Sequence, residues 1–430
     1  MKKILIISVL SLFFYSNSIA VSLYDALNET YKNNTELNAE RENIKASIED
    51  INISKADFMP SVTLTGSKSY ENTNTLENQD GTGASIDDVN PLTTSIKLEQ
   101  TLIDKVRDAE HLKNIIGLDL SKAKLLKKEQ DILYNAIDAF TSLILSREKV
   151  SINRRNLNLL IKQVETDKVR LDRGQITNAD LSQSESSLAG ARAQYTQAKS
   201  ELTINKLNYE NIVGNLSNPN DLKKSSKSIV NIPNSLDSAV KLSKTNNPNI
   251  KIAKLELYQS EKDLSISEAD LKPTASVSLE RSYTDDLSTT YSEREKDTLK
   301  ASLSWPFYTG GKKRSKINKN SNLIYKKRLL LENAIKTSNK NVGTAWSSLE
   351  SSKSFLNSVI SQVRAAKIAN EGIAAEYQRG SRTTLDVIQS NSLLLSAEIS
   401  LVNSQRNYLM AQYNLLKAIG LLSKEYLKLQ

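Results

Sequence analysis

The sequence repeats one pattern of residues twice along its length. In the early part of each copy the two matching residues lie 213 positions apart, and later they lie 206 positions apart. The defining pairs are Ala56 and Ala269, Pro60 and Pro273, Gly174 and Gly380, and Gly214 and Gly420. Because equivalent sequences favour equivalent structures, the chain is predicted to consist of two similar halves.

Three further segments lie outside the two halves: one at each end of the chain and one between the halves. Lys2 and Lys3 precede an apolar run from Ile4 to Tyr15, which is too short to span a bilayer, and small residues follow at Ser18 to Ala20. This arrangement predicts a signal peptide cleaved near Ala20, with an uncleaved anchor as the alternative. The predicted segments are 1–20 as signal peptide, 21–214 as first repeat, 215–233 as linker, 234–420 as second repeat and 421–430 as a short tail.

Each half contains two stretches in which apolar and polar residues alternate, which is typical of strands with one apolar face. The apolar positions are Val62, Leu64, Ile96, Leu98 and Leu102, and then Ala275, Val277, Leu279, Leu299, Ala301, Leu303, Trp305 and Phe307. Serine and threonine are common on the opposite face. Each half is therefore predicted to contain a β-hairpin, after a helix over about residues 36–58 or 249–272. A soluble hairpin with one solvated face is the alternative.

A very long helix is predicted after each hairpin, over about residues 106–172 and 312–378, because neither stretch contains proline. At a rise of 1.5 Å per residue, such a helix is roughly 100 Å long. That length is far greater than a compact domain needs. A shorter return helix is predicted to follow each long helix.

One pattern, Arg-Gly-x-x-Thr-x-x-Asp, joins each long helix to its return helix. Its two copies are Arg173, Gly174, Thr177 and Asp180, and Arg379, Gly380, Thr383 and Asp386. The glycines are predicted to end the long helices with positive φ. The threonines are predicted to cap the return helices, and the aspartates to complete capping boxes. Each pattern thus predicts a tight turn at the tip of a helical hairpin.

The composition excludes several classes of function. Cysteine is absent and His111 is the single histidine, so thiol catalysis and the common zinc sites are excluded. No phosphate-binding loop or nucleic-acid-binding motif accompanies the net charge of +9. We therefore expect no enzyme activity, no cofactor, no metal site and no nucleic-acid partner.

The two hairpins constrain the assembly, because a sheet can lie in a bilayer only if its edges are paired. One chain offers four strands, and three chains offer twelve, which is wide enough to hold water. The predicted fold is mainly α with a small β part. It is a trimeric, 12-stranded outer-membrane β-barrel continuous with a long periplasmic α-helical barrel, and each chain is an internal duplication.

The order of elements, the two tip patterns and the segment WPFYTGGKKRSK from Trp305 to Lys316 make the sequence resemble the TolC family of outer-membrane efflux proteins. The resemblance covers essentially all of the mature chain. It implies a channel, the exit duct of a tripartite efflux or type I secretion system, in the outer membrane with a long periplasmic extension. It also implies a homotrimer that contacts outer-membrane lipid, a periplasmic adaptor (membrane fusion) protein and an inner-membrane transporter. A periplasmic structural coiled-coil protein without channel activity is the alternative.

The resemblance further implies roles for residues at the helical tips. Asp386 matches the acidic residue of the pore constriction, while Gln389 stands where relatives can have a second acid. Asp180, Tyr377 and Arg382 match the positions of a gate latch. The residues implied in adaptor contact at the hairpin tips are Arg173, Gly174, Thr177, Arg379, Gly380 and Thr383. A purely structural capping role for the aspartates, and ordinary surface positions for Tyr377 and Arg382, are the alternatives.

Overall fold

The computed structural model describes residues 21–75, 77, 79–83, 88–216, 218–224, 232–288 and 291–429. The predicted signal peptide, residues 1–20, lies outside the described residues. So do residue 217 and residues 225–231 of the predicted linker, and residue 430 of the predicted tail.

The described residues form one order of elements twice: two helices, a β-hairpin, a long helix and a return helix. The first set is α1 (Leu23–Asn33), α2 (Thr35–Ala56), β1 (Ser61–Lys68), β2 (Leu92–Ile103), α3 (Lys105–Asp172) and α4 (Asn178–Ile212). The second is α5 (Leu236–Asn246), α6 (Pro248–Ala269), β3 (Thr274–Asp285), β4 (Glu293–Ser304), α7 (Lys312–Gln378) and α8 (Thr384–Ile419), followed by α9 (Lys424–Leu427). The predicted bounds of both long helices are correct to within one residue. None of the helices in these ranges carries an apolar stretch long enough to cross a bilayer.

The sequence patterns do not predict the short helices α1 and α5. Each has 11 residues, which is too short for a reliable periodic signal. The start of α1 is nevertheless strongly defined, because Ser22 and Asp25 form a capping box. Its apolar side, including Leu23 and Leu27, is buried in a core.

The four strands form one antiparallel sheet in the order β1–β2–β3–β4, so that β2 and β3 join the two hairpins. The register makes Val62, Leu98, Leu279 and Leu299 consecutive partners across all four strands. The next row consists of Thr63, Lys97, Glu280 and Thr298. Because neighbouring residues of a strand point to opposite faces, the predicted apolar and polar faces are both confirmed.

The prediction for the fourth strand is wrong at both ends. It placed the strand at Leu299 to Phe307, whereas β4 is Glu293–Ser304 and begins in a charged segment. The charged segment is part of the strand, and Arg281 of β3 contacts Glu295 at 3.1 Å. The strand ends before Trp305 because Pro306 follows, and proline cannot donate a backbone hydrogen bond to a neighbouring strand.

The chain divides into two compact units, and both long helices contribute residues to each. The first contains Met1–Asn38, Lys128–Asn246 and Asn339–Gln430, and the second contains Ala39–Lys127 and Asn247–Ser338. In the first unit, Leu133, Ile137 and Phe140 of α3 share a buried core with Leu415 and Leu416 of α8. The second unit contains the whole sheet.

Candidate functional site

Both long helices end in the same hydrogen-bonded turn. In the first tip Gly174 has φ +68°. Its N–H donates to the carbonyl of Leu171 at 2.8 Å, and the N–H of Gln175 donates to the carbonyl of Arg170 at 2.9 Å. The corresponding bonds close the second tip, where Gly380 has φ +84°. These are Schellman turns, which favour glycine at the position of positive φ, so the predicted role of both glycines is confirmed.

Each return helix begins with a complete capping box. Thr177 Oγ1 accepts a hydrogen bond from Asp180 N at 3.2 Å, and Asp180 Oδ2 accepts one from Thr177 N at 2.9 Å. Thr383 and Asp386 form the same pair of bonds at 3.2 and 3.0 Å. The bond from the threonine backbone, and then the bond from its hydroxyl, holds the pKa of each aspartate below its usual value. The predicted capping is confirmed, and the gate roles of both aspartates stay predictions.

A buried carboxylate, Asp167 of α3, joins helices of both hairpins. It accepts hydrogen bonds from Tyr377 Oη of α7 at 2.5 Å, Ser184 Oγ of α4 at 2.5 Å and Gln163 Nε2 at 3.0 Å. The Tyr377 hydroxyl also lies 3.3 Å from Thr384 Oγ1 of α8. A buried carboxylate is costly unless it is hydrogen-bonded. The three donors therefore favour an arrangement in which Tyr377 stays against α3.

Arg170 holds the ring of Tyr377 from another side. Its guanidinium carbon lies 4.0 Å from the ring centroid, and Nη2 donates to the Tyr377 carbonyl at 3.1 Å. Burial, and then the hydrogen bond to Asp167, raises the pKa of Tyr377 above its ordinary value. The hydroxyl therefore stays protonated, and able to donate, throughout the neutral pH range.

The three residues assigned to the latch line one cavity of about 560 Å³, together with Arg379 and Thr383. Within the chain, however, each has a different hydrogen-bond partner. Asp180 bonds to Thr177 and Tyr377 bonds to Asp167. Arg382 Nε contacts Glu376 Oε2 at 2.7 Å, and this pair is exposed, so it contributes little to stability. Their joint role as a latch stays a prediction.

The remaining predicted tip residues are accessible. Gln389 is exposed, and Asp386 on the preceding turn of α8 is half-buried. Arg173 and Arg379 are both exposed beside the tip glycines. Within the described ranges, no three histidine or acidic side chains are placed to hold a metal ion together.

Sequence reasoning missed Asp167 and Ser184. Asp167 lies three residues after Val164 and four before Leu171, which is the spacing of residues along one coiled-coil seam. A carboxylate therefore interrupts a coiled-coil seam, where polar residues often specify pairing. That interruption is the signal that could have identified Asp167, whereas no local pattern marks Ser184.

The sheet of the second unit has two chemically different faces. On one face Leu64, Leu299 and Leu303 are 78%, 75% and 74% exposed. On the other, Lys97 contacts Glu99 at 2.6 Å. The outer strands β1 and β4 each pair on one side only among the described strands. A single chain thus leaves an apolar surface and two strand edges uncovered.

Comparisons with known proteins agree over nearly the whole chain. The family model for outer membrane efflux proteins matches residues 26–215 and 239–421. The outer membrane efflux protein BepC of Brucella suis biovar 1 is 26% identical over 418 residues, which are 96% of this chain and 88% of that protein. The outer membrane protein TolC of Escherichia coli strain K12 is 22% identical over 447 residues, which are 99% and 88% of the two chains. The crystal structure of the CmeC outer membrane channel of Campylobacter jejuni aligns with a TM-score of 0.80 and 15% identity, over 95% of this chain and 90% of that one.

The capping boxes predict that both tips loosen in acid. Since the folded-state pKa of Asp180 and of Asp386 is lowered, the contribution of each carboxylate is complete above about pH 4. It is lost as the pH falls through the lowered value. We expect protection of the first-turn amides of α4 and α8 against hydrogen exchange, corrected for intrinsic rates, to be constant at higher pH and to decline as the pH falls below about 4. Asp180→Asn with Asp386→Asn should remove this dependence.

The capping box of α1 is the internal control, because the pKa of Asp25 is also lowered by its bonds to Ser22. Its pH dependence should persist in the double variant. If the tip amides of the double variant keep the same pH dependence, Asp180 and Asp386 are not its cause.

Proposed function

The chain belongs to the outer membrane efflux protein family, and we propose that three copies of it assemble into one channel. It is an outer-membrane channel for efflux or secretion, with a helical part in the periplasm. The family match favours this function over that of a periplasmic structural coiled-coil protein.

The uncovered edges of the sheet are the observation that carries the trimer. β1 and β4 expose backbone donors and acceptors, and an unpaired group of this kind costs several kcal/mol in the hydrocarbon core of a bilayer. The exposed leucines of the apolar face suit lipid contact. Pairing β4 of one chain with β1 of the next covers both edges and keeps every apolar face outward.

The number of chains follows from the width of the lumen. Two chains would give a barrel of eight strands, in which side chains fill the interior. Three chains give twelve strands, which leave room for water, and the lining comes from the polar row that includes Thr63, Lys97 and Glu280. A passive duct of this kind needs no cofactor, because an attached pump would supply the energy.

The tips of the helical hairpins form the proposed gate. Three symmetry-related Asp386 carboxylates near the axis would repel one another and attract cations. Within one chain, the hydrogen bonds from Thr383 lower the pKa of Asp386 and so favour its charged form. Gln389 adds hydrogen-bonding capacity without charge, so the proposed constriction contains one acidic ring.

Tyr377 is the central residue of the proposed latch. Its hydroxyl bond to Asp167 ties α7 to α3 within one chain, while Arg382 and Asp180 lie at the same cavity. Arg382 is exposed and can exchange Glu376 for a carboxylate of a neighbouring hairpin. Opening then requires the loss of these contacts, so a partner that binds the released tips shifts the population towards the open state.

The proposed partners are a periplasmic adaptor protein and, through it, an inner-membrane transporter. The contact surface consists of the exposed tip residues Arg173, Gly174, Thr177, Arg379, Gly380 and Thr383. Since the two tips share their backbone geometry, one type of adaptor hairpin can bind both. The cargo is a drug, another small molecule or a protein delivered by the pump.

We predict that engineered cysteines on opposite edges of the sheet form covalent trimers. The natural chain contains no cysteine, so Thr63→Cys on β1 can be combined with a cysteine at Thr298, Lys300 or Ser302 on β4. Within one chain β1 and β4 are three strand spacings apart, about 14 Å, which exceeds the reach of a disulfide. Oxidised outer membranes should therefore yield dimers and trimers in non-reducing electrophoresis for at least one pair.

Thr63→Cys with Ala301→Cys is the control, because Ala301 is on the opposite face of β4. It should give no covalent trimer. If the whole polar-face series yields only monomers, or an intrachain disulfide, the trimeric barrel is wrong.

Replacing the acidic ring should reduce cation selectivity. Asp386→Asn retains a side chain that can cap α8 but removes three charges from the assembled channel. The cation-to-anion permeability ratio in planar bilayers should fall by roughly twofold or more, because charges lining a pore set its local ion concentration. Asp180→Asn, which alters the equivalent cap in the other tip, should leave the ratio unchanged. If both substitutions lower the permeability ratio equally, Asp386 does not form the constriction.

Loosening the latch should raise the open population. Tyr377→Phe with Arg382→Ser removes one buried hydrogen bond, worth about 1 kcal/mol, and one exposed ion pair. The frequency of open-channel currents should therefore increase by roughly fivefold. Tyr195→Phe with Arg192→Ser makes the same chemical changes on α4, away from the tips, and should leave the currents unchanged. Unaltered currents in the Tyr377 variant would show that the tips are held by other contacts.

A further inference from the structure

An exposed aromatic and basic segment follows β4 in the second unit. Trp305, Phe307 and Tyr308 are 61%, 86% and 85% exposed. Trp305 and Phe307 contact each other edge to face, with ring centroids 5.9 Å apart. Trp305 Nε1 donates to the carbonyl of Leu271 at 3.1 Å, which fixes the indole at the end of the sheet. The three rings are therefore positioned at the surface rather than packed into a core.

The first turns of α7 carry many basic residues and no acidic ones. From Lys312 to Arg328 the sequence contains no aspartate or glutamate. The cations of this stretch are Lys312, Lys313, Arg314, Lys316, Lys319, Lys326, Lys327 and Arg328. Cations in the first turn of a helix oppose its dipole, so helix stability does not explain them.

Several of these cations form no ion pair with any residue that the structure describes. Lys313 and Lys316 contact Asp270, and Lys327 contacts Glu256. By contrast, no ion pair to another described residue involves Lys312, Arg314 or Lys319, and all three are exposed. We call Trp305, Phe307, Tyr308, Lys312, Arg314 and Lys319 the basic–aromatic surface.

The first half of the chain makes the equivalent junction differently. After β2, Asp104 Oδ1 accepts a hydrogen bond from the N–H of Val106 at the start of α3. Lys105 contacts Asp108 at 2.9 Å, and Arg107 lies over the ring of Phe58 at 4.0 Å. At the first junction the cations therefore have partners within the chain, and the ring of Phe58 is 38% exposed, less than any of the three rings after β4.

From this contrast we infer that the basic–aromatic surface binds the headgroups of anionic phospholipids in the leaflet that faces the periplasm. The inference rests on the proposed membrane position of the sheet. Leu303, on the apolar face, is two residues before Trp305, so the aromatic rings continue the lipid-contacting surface to its border. Tryptophan and tyrosine favour the headgroup level of bilayers, and lysine and arginine beside them attract anionic lipid.

Tryptophan fluorescence provides a direct test, because the chain contains only Trp305 and Trp346. Trp346→Phe leaves Trp305 as the sole emitter in the assembled protein. The protein is reconstituted in phosphatidylcholine vesicles that contain a small fraction of brominated phosphatidylglycerol or brominated phosphatidylcholine. We expect brominated phosphatidylglycerol to quench at least about twofold more strongly than brominated phosphatidylcholine. This excess quenching should disappear near 1 M salt.

Two matched variants separate this surface from general charge effects. Lys312→Gln, Arg314→Gln and Lys319→Gln together should abolish the excess quenching. Lys122→Gln, Lys124→Gln and Lys127→Gln remove three exposed lysines from α3 and should retain it. If Trp346→Phe lowers the yield, the difference in quenching between the parent chain and Trp305→Phe gives the same quantity.

Equal quenching by both lipids in the parent protein would overturn the inference. So would an unchanged excess in the Lys312, Arg314 and Lys319 variant. If that variant instead shifts the ion selectivity of the channel without altering quenching, its cations face the lumen and bind anionic cargo. The cysteine cross-links between β1 and β4 test the trimer separately, so either conclusion can fail without the other.

Discussion

Backbone hydrogen bonding at the sheet edges is the constraint on which the rest of this structure depends. The four strands satisfy one another internally, but β1 and β4 have no further partner within the described chain. In water such an edge costs little, whereas in hydrocarbon it must be paired. Membrane insertion and assembly are therefore one event in the proposed channel. The apolar face and the polar row acquire their roles only once neighbouring chains complete the cylinder.

The internal duplication gives both halves the same tip turn and capping box, but the halves differ at other positions. Both tips use one turn and one capping box, since their backbone bonds are the same. The strand-to-helix junctions differ, with a self-contained polar cap before α3 and exposed rings and cations before α7. The second tip contributes Tyr377, whose hydroxyl reaches the buried Asp167 of the first hairpin. Duplication thus provides the framework, and differences between the copies provide the proposed lipid and gate contacts.

Local causes explain which features the sequence predicts well. The bounds of α3 and α7 follow from proline-free runs that end at glycine, and the capping boxes involve residues three apart. The start of β4 was missed because charged residues there pair with β3. Asp167 and Tyr377 are 210 positions apart, and no local pattern can reveal that contact. The proposed trimer follows from counting strands, whereas the proposed exchange of Arg382 to a neighbouring hairpin depends on contacts between chains.

The tip turns have one further consequence for how such channels diversify. Between glycine and threonine each tip has two residues, Gln175 and Ile176 in the first and Ser381 and Arg382 in the second. The turn is closed by backbone groups and by the capping pair, so these two side chains are not required for its shape. Gln175, Ile176 and Ser381 can therefore change without loss of the turn, whereas Arg382 also belongs to the proposed latch. Substitutions at the first three positions alter the surface beside the proposed adaptor contact and leave the long helices unchanged.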